Sequence, residues 1–394
     1  MIDMTAIDRI EDWLIGQALG SPNLAELFAG LCERLRAVGV PVDRAMLGWP
    51  TLHPLIEAET AFWTQGNAVL FEQFAHSDED GDEWLSSPMR AVLVNRETML
   101  RRRLDLANAE HDFPLCRQLA ADGFTDYLIL GTPFEMPAVE QHQGFTGIMV
   151  SWATRAPGGF SEPAIDAIGY IQKRLALAAR ATLHGQITRT IAETYLGKWA
   201  GRQVLNGQIR HGDGQSIEAV IFFSDMRRST AIAEDLGPDR YLKLLNRYFD
   251  AAAGAVEAEG GEILDFIGDA VLGIFPLDGD GVGPAAVRAL AAARACLLRL
   301  AGVVTDVGMP VRAGIALSVG TVMFGNIGTA NRLTFSVIGQ TVHAAARIEA
   351  LTKELDCTVL MTQEIAAHAP GAARLRGTFR LDGFRQPQPL YDLP

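Results

Sequence analysis

Asp225 and Asp269 are the two residues whose surroundings point to chemistry. Asp225 closes the apolar run Ala219-Val220-Ile221-Phe222-Phe223-Ser224. Asp269 follows Glu262-Ile263-Leu264-Asp265-Phe266-Ile267-Gly268 and precedes the apolar run Ala270 to Phe275. Each therefore stands at the end of an expected strand. Two carboxylates that meet at strand ends offer hard oxygen donors to divalent cations, and a cation pair suits displacement at phosphorus. Beyond Asp225 the chain passes into a helix through Met226, Arg227, Arg228, Ser229 and Thr230. The first amides of a helix have no internal partners, and with the helix dipole they form a seat for a phosphate chain. Each aspartate also has a plain structural reading, Asp225 as a helix cap and Asp269 as a turn residue beside Gly268. The combination of two acids beside one phosphate seat favours chemistry.

A third segment, Thr334 to Glu349, reads as a strand entering a helix, with His343 and Arg347 one turn apart on one face. An arginine there can stabilise charge developing at phosphorus. The alternative for Arg347 is a surface ion pair with Glu349 or Glu354, and a lone His at a helix start is commonly structural.

The elements that must position these groups follow from periodicity. The C-terminal part reads as a strand ending at Asp225, a helix from Ser229 to about Gly260 and a hairpin over Glu262 to Phe275. A helix over Pro284 to Ala301, strands at Val311–Leu317 and Gly320–Phe324, a helix from Thr341 to Leu355 and a strand at Thr358–Met361 complete it. This β-α-β-β-α-β order predicts an antiparallel sheet with helices on one face, the ferredoxin-like arrangement, within an α+β protein.

The first 160 residues mix helices and strands. Ser21-Pro22 is expected to cap a helix carrying Leu24, Leu27, Phe28, Leu31, Leu35 and Val38. A strand over Arg44–Leu52, a helix over Ser87–Ala107 and strands at Tyr127–Gly131 and Phe145–Trp152 follow. The order fits a small α/β sensory domain of the GAF or PAS kind. Trp49, His53, Trp63 and Trp84 either line a pocket there or fill its core. From Ser161-Glu162-Pro163 to about Leu205 the chain is nearly continuous helix. Its apolar stripe suits a parallel pair between two subunits or packing on its own domain. The predicted domains are 1–160 (sensory or regulatory), 161–210 (helical connector) and 211–394 (catalytic).

At 394 residues the chain is long enough for two or three domains, and 48% apolar residues allow each a core. A formal charge of −13 argues against a general nucleic-acid binder. The four cysteines, Cys32, Cys116, Cys296 and Cys357, form no metal-ligand spacing and read as reduced thiols. The acidic start Met1-Ile2-Asp3 does not look like a signal peptide, and charges interrupt every apolar run. A cytoplasmic protein without a membrane span is expected.

From about Ile217 to Leu393 the sequence resembles the catalytic domain of class III nucleotidyl cyclases, the adenylyl and guanylyl cyclases, with three separated motifs in family order. Thr194 to Arg210 also resembles the segment before this domain in bacterial members. The resemblance implies a head-to-tail homodimer with two composite active sites. It implies that Asp225, Asp269 and the carbonyl of Met226 bind two magnesium or manganese ions. The ribose 3′-hydroxyl, deprotonated with metal help, attacks the α-phosphorus and pyrophosphate leaves. Arg347 comes from the opposite subunit, and no protein general base is required.

Departures from the family pattern bear on the substrate. Adenylyl cyclases usually carry Lys where this chain has Asp265, and Asp or Thr where it has Ser336; guanylyl cyclases carry Glu and Cys. Asp265 can accept from guanine N1 and N2 or from the adenine amino group, and Ser336 suits either base. His343 stands where the family has a ribose-orienting Asn. The late phosphate-binding Lys has no match, with Arg385 the nearest basic residue. ATP is favoured because bacterial relatives most often use it. GTP, and a nucleotide-binding regulatory protein that does not turn over, stay open. The first 200 residues are then a receiver for a small-molecule or protein signal, or a dimerisation scaffold.

Overall fold

The computed structural model describes residues 4–76, 81–106, 112–136, 146–210, 212–277, 279, 281–306, 308–329, 332–381 and 386–393. Arg385 lies outside them. The chain divides into two compact units, Met1–Ile191 and Ala192–Pro394. Among the described residues no helix is long and apolar enough to cross a membrane.

The first unit runs α1 (Met4–Ala18), α2 (Leu24–Ala37), β1 (Arg44–Pro50), β2 (Ile56–Thr64), β3 (Leu70–Ala75), α3 (Asp82–Leu85) and α4 (Pro88–Val94). It continues β4 (Met99–Arg103), α5 (Pro114–Ala121), β5 (Asp126–Pro133), β6 (Gly147–Thr154) and α6 (Glu162–Leu196). Its antiparallel sheet has the order β3-β2-β1-β6-β5-β4. The helix cap before α2 is Asn23 rather than Ser21: its Oδ1 accepts from the amides of Ala25 and Glu26 at 2.9 and 3.2 Å. The helix expected over 87–107 stops at Val94, and the chain turns through Arg96 (φ 55°) into β4, paired with β5. Edge pairing overrides helix propensity there.

The helix α6 is core for much of its length. Ala164, Ile168, Ile171, Leu175, Ala179 and Leu183 are buried with Phe28, Leu47 and Trp152. Over this stretch the helix packs on its own unit. Leu183 is its last buried residue. Trp63 is buried in the same core, whereas Trp84 is partly exposed.

The second unit contains α7 (Lys198–Leu205), β7 (Gly214–Met226), α8 (Ser229–Leu236), α9 (Pro238–Ala258), β8 (Glu262–Ile267), β9 (Ala270–Pro276) and α10 (Val282–Leu300). Then come β10 (Ala313–Thr329), β11 (Arg332–Ile338), α11 (Gln340–Glu354), β12 (Val359–Thr362), α12 (Gln363–Ala366), β13 (Arg374–Phe379) and β14 (Gln388–Asp392). The sheet order is β13-β14-β12-β10-β7-β9-β8, with β11 hairpinned onto β10.

Three expectations are corrected here. The strands expected at 311–317 and 320–324 are one strand, β10, paired with β7 from Ala313 to Gly325. The helix expected over 229–260 breaks at Gly237 (φ 73°) and Pro238, a stop signal followed by a new first turn. Helices cover both faces of the sheet, not one. Val220 and Phe222 face a core shared with α9 and α10, while Ala219, Ile221 and Phe223 face one shared with α11. The physical reason lies in β7, where Ala219 to Ser224 are all buried, so neither face tolerates water. On the α11 face, Trp199 of α7 stacks against Phe324 and Phe335, at 4.7 and 5.5 Å between centroids.

Candidate active site

Registry brings the two aspartates together. Asp225 at the end of β7 pairs with Ala270, the first residue of β9, and Asp269 precedes Ala270 in a two-residue turn. Gly268 in that turn has φ 66°, a conformation glycine adopts without strain. The Asp269 carboxyl lies close enough to Asp225 to act on its titration. Burial, then the charge of Asp269, pushes Asp225 up to about 6, while Arg227 and the Met226 amide pull it down. Two acids held this close share a proton or a cation.

That donor set fits a divalent cation. Two carboxylates and the neighbouring Met226 carbonyl are hard oxygen ligands of the kind magnesium and manganese take. Among the described residues no cluster of three His, Cys, Asp or Glu side chains forms a closed metal cage. A cation held there would need water or other oxygen ligands to complete its shell.

After Met226 the chain bends sharply, with Arg228 left-handed (φ 60°), and α8 begins at Ser229. No side chain caps its first amides. Arg228 and Thr230 are exposed, and Ser229 acts to lower the Tyr241 hydroxyl pKa, which burial and then Asp269 raise. Arg227 has a different setting from its neighbours. Its guanidinium pairs with Glu349 at 3.2 Å and donates to Thr352 Oγ1, and its amide donates to the Arg312 carbonyl at 2.8 Å.

The remaining expected residues lie on other elements. Asp265 is exposed on β8; Ser336 is half-buried on β11, opposite Gly325, and the two strands approach each other. His343 and Arg347 are both exposed on one face of α11, whose other face buries Ala344, Ala345, Ile348, Glu349 and Thr352. No ion-pair partner of Arg347 occurs among the described residues; Glu349 is committed to Arg227. The sequence reading missed this use of Glu349. The available signal was its place on the apolar face of α11, where an acid requires a buried donor.

Residues 214–385 match the family described as the adenylate and guanylate cyclase catalytic domain. An adenylate cyclase of Anabaena cylindrica is 31% identical over 162 residues, covering 40% of this chain and 32% of that protein. An uncharacterised protein of Mycobacterium tuberculosis is 31% identical over 217 residues, covering 53% of this chain and 38% of its own length. The match thus spans well under half the length of these relatives. Among solved structures, the adenylyl cyclase CyaB from P. aeruginosa is similar at 25% identity, over 46% of this chain and 95% of that one, with a TM-score of 0.39. The guanylyl cyclase Cya2 is 29% identical over 46% of this chain and 93% of that one, with a TM-score of 0.40. The C-terminal unit belongs to the family of adenylate and guanylate cyclase catalytic domains, the class III cyclases.

Proposed function

We propose that the protein is a homodimeric nucleotide cyclase that converts ATP to cyclic AMP and pyrophosphate, under control of its N-terminal unit. The observation that carries this reading is the carboxyl pair, Asp225 and Asp269, beside the uncapped start of α8 in a cyclase-family domain. Asp225, Asp269 and the Met226 carbonyl would hold magnesium or manganese. When bound, that cation pair supplies acidification of the ribose 3′-hydroxyl and neutralisation of the leaving pyrophosphate. The α8 amides, with Arg228, Ser229 and Thr230, hold the phosphates. His343 orients the ribose through one imidazole donor. Arg347, free on α11, is offered to the partner subunit's carboxyl pair and stabilises charge at the α-phosphorus. ATP is favoured by the adenylate cyclases among the relatives. GTP is the second reading, favoured by Asp265, an acid exposed on β8 where it can accept from guanine.

The first unit is read as a GAF- or PAS-like receiver in a cytoplasmic protein. Support comes from its six-stranded sheet and from a cavity of about 330 Å³ lined by Trp49, His53, Glu59, Phe71, Ile187 and Arg189. The cavity opens beside α6 just where that helix ceases to be buried. A ligand there would extend the packing of the helix that leads toward the catalytic unit.

Purified protein with manganese and each of four nucleoside triphosphates, its products separated by chromatography, tests the reaction. Cyclic AMP with stoichiometric pyrophosphate is expected. Nucleotide binding without pyrophosphate release would replace the enzyme by a non-catalytic nucleotide-binding protein.

A further inference from the structure

Behind the carboxyl pair lies a buried polar cluster. Arg227 follows Asp225 by two residues, and Glu349 follows Arg347 by two. Their side chains meet inside the domain at 3.2 Å, with Glu349 only 4% exposed. Thr352, also buried, accepts from Arg227 and donates to the Glu349 carbonyl at 2.5 Å. The cluster occupies space that Gly314 leaves open. Gly314 is the β10 partner of Asp225, and a Cβ on it would overlap Glu349 Oε1, Thr352 Oγ1 and Arg227 Nη2. The strand position facing a metal-binding candidate is thus kept empty of side chain, and Arg227, just past the end of β7, fills it together with Glu349 and Thr352 of α11.

We infer that Arg227, Glu349 and Thr352 are positioning residues that lock the carboxyl-bearing end of β7 and the arginine-bearing helix α11 into one rigid piece. This rests on the composite-site reading, in which Asp225 serves one site of the dimer and Arg347 the other. Each subunit then presents both of its contributions from a single buried pin, and a shift at one reaches both sites. Glu349 and Arg347 project from opposite faces of α11, so the pin sets the helix's roll. Helical side chains reach roughly 5–6 Å from the axis, so a roll of about 10° moves the Arg347 head group about 1 Å. A misplacement of that size can cost roughly 10²-fold in rate. An ion pair of this kind is a weak source of net stability, which leaves geometry as its main contribution.

Mixed dimers test the inference. Combining Asp225→Ala with Arg347→Ala subunits leaves one intact composite site and is the reference. Glu349→Gln is then mixed with each. In the mixture with Asp225→Ala, the one competent site takes its carboxyls from the Glu349→Gln subunit. In the mixture with Arg347→Ala, it takes its arginine from that subunit. Both mixtures are expected to fall roughly 10-fold or more in kcat below the reference, with the manganese requirement raised only in the first. Thr352→Val, measured the same way, covers the case in which Glu349→Gln does not fold. A mixture that matches the reference would overturn the coupling, because that half of the site would then be indifferent to the pin. Reference-level activity per folded molecule with a lowered Tm would also overturn it, in favour of a purely structural role. An inactive reference mixture would sink the composite-site reading, and this inference with it.

Discussion

The two units use acids in opposite ways. In the first, Asp126 is fully buried and fully answered: Arg101 Nη2 donates at 2.8 Å and the Phe160 amide at 3.0 Å. Arg101 also reaches the Phe160 carbonyl and Glu162, so β4, β5 and the start of α6 are tied at one point. Gly159 (φ 73°) passes so close that a Cβ would strike Asp126. In the second unit, Asp225 and Asp269 face each other across a strand end, and the pull of Arg227 and the Met226 amide on Asp225 is outweighed by burial and the charge of Asp269. Acids matched to cations hold a fold together; like charges pressed into contact mark a place that waits for something positive.

The strongest way to break this comparison is to remove one acid from each unit. Asp225→Ala should lower cyclase turnover by about 10³-fold or more, since one of two carboxylate ligands is lost, while Tm stays level or rises. A variant that retains a tenth of the activity would remove the carboxyl pair from the mechanism. Asp126→Ala should do the reverse, costing about 3 kcal/mol of stability, the lower end for a broken buried pair because Arg101 keeps some solvent. Turnover per folded molecule should not change in a catalytic-unit assay. Denaturant midpoints followed in both units would show whether the loss is confined to the first.

Arg347→Ala sharpens the contrast further. The side chain is exposed and without an ion-pair partner among the described residues, so stability should be untouched. Turnover should fall about 10²-fold with little change in nucleotide KM, the pattern of a group engaged in the transition state. A rise in KM at constant kcat would instead make Arg347 a ground-state phosphate contact.

How much of this was open to a reader of the sequence depends on how far apart the partners lie. The carboxyl pair was legible because each aspartate follows its own apolar run, and the hairpin of β8 and β9 is local. The strand registers needed no long-range guess beyond the adjacency of β7 and β9. Helices on both faces were also legible, since the unbroken apolar run Ala219 to Phe223 does not suit a half-wet sheet. That signal was overridden by the β-α-β-β-α-β template. The Arg227–Glu349 pin was not legible, because nothing local joins a residue after β7 to one deep in α11. Arg227 looked like one more base beside a phosphate seat. In the first unit, β2 and β3 escaped notice: β3 is exposed throughout, so it lacks the alternation that marks a half-buried strand.

The smallest expected effect tests the electrostatic half of the comparison most directly. Asp225 is raised on folding, from 3.8 to about 6, by burial and then by Asp269. Between those values the folded protein holds a proton that the unfolded chain has released. Stability contributed by this group therefore falls as pH rises through that window, and the deficit persists above pH 6. Asp225→Asn removes the titration while keeping the shape. In metal-free buffer at pH 7 the variant should be the more stable protein, by about 1 kcal/mol once solvent screening of a half-open site is allowed for, or roughly 2–4 °C in Tm. Glu349, pushed up to about 7 first by burial and also by the charge of Asp225, is relieved by the same substitution, so the difference reports the whole cost of that charge rather than the titration of Asp225 alone. Below pH 4 the two curves should converge. Millimolar manganese should raise the parent and leave the variant where it was, because only the parent keeps both carboxylates. A variant less stable than its parent at pH 7 would mean that the aspartates are not in conflict, and the contrast between the two units would lose its electrostatic basis.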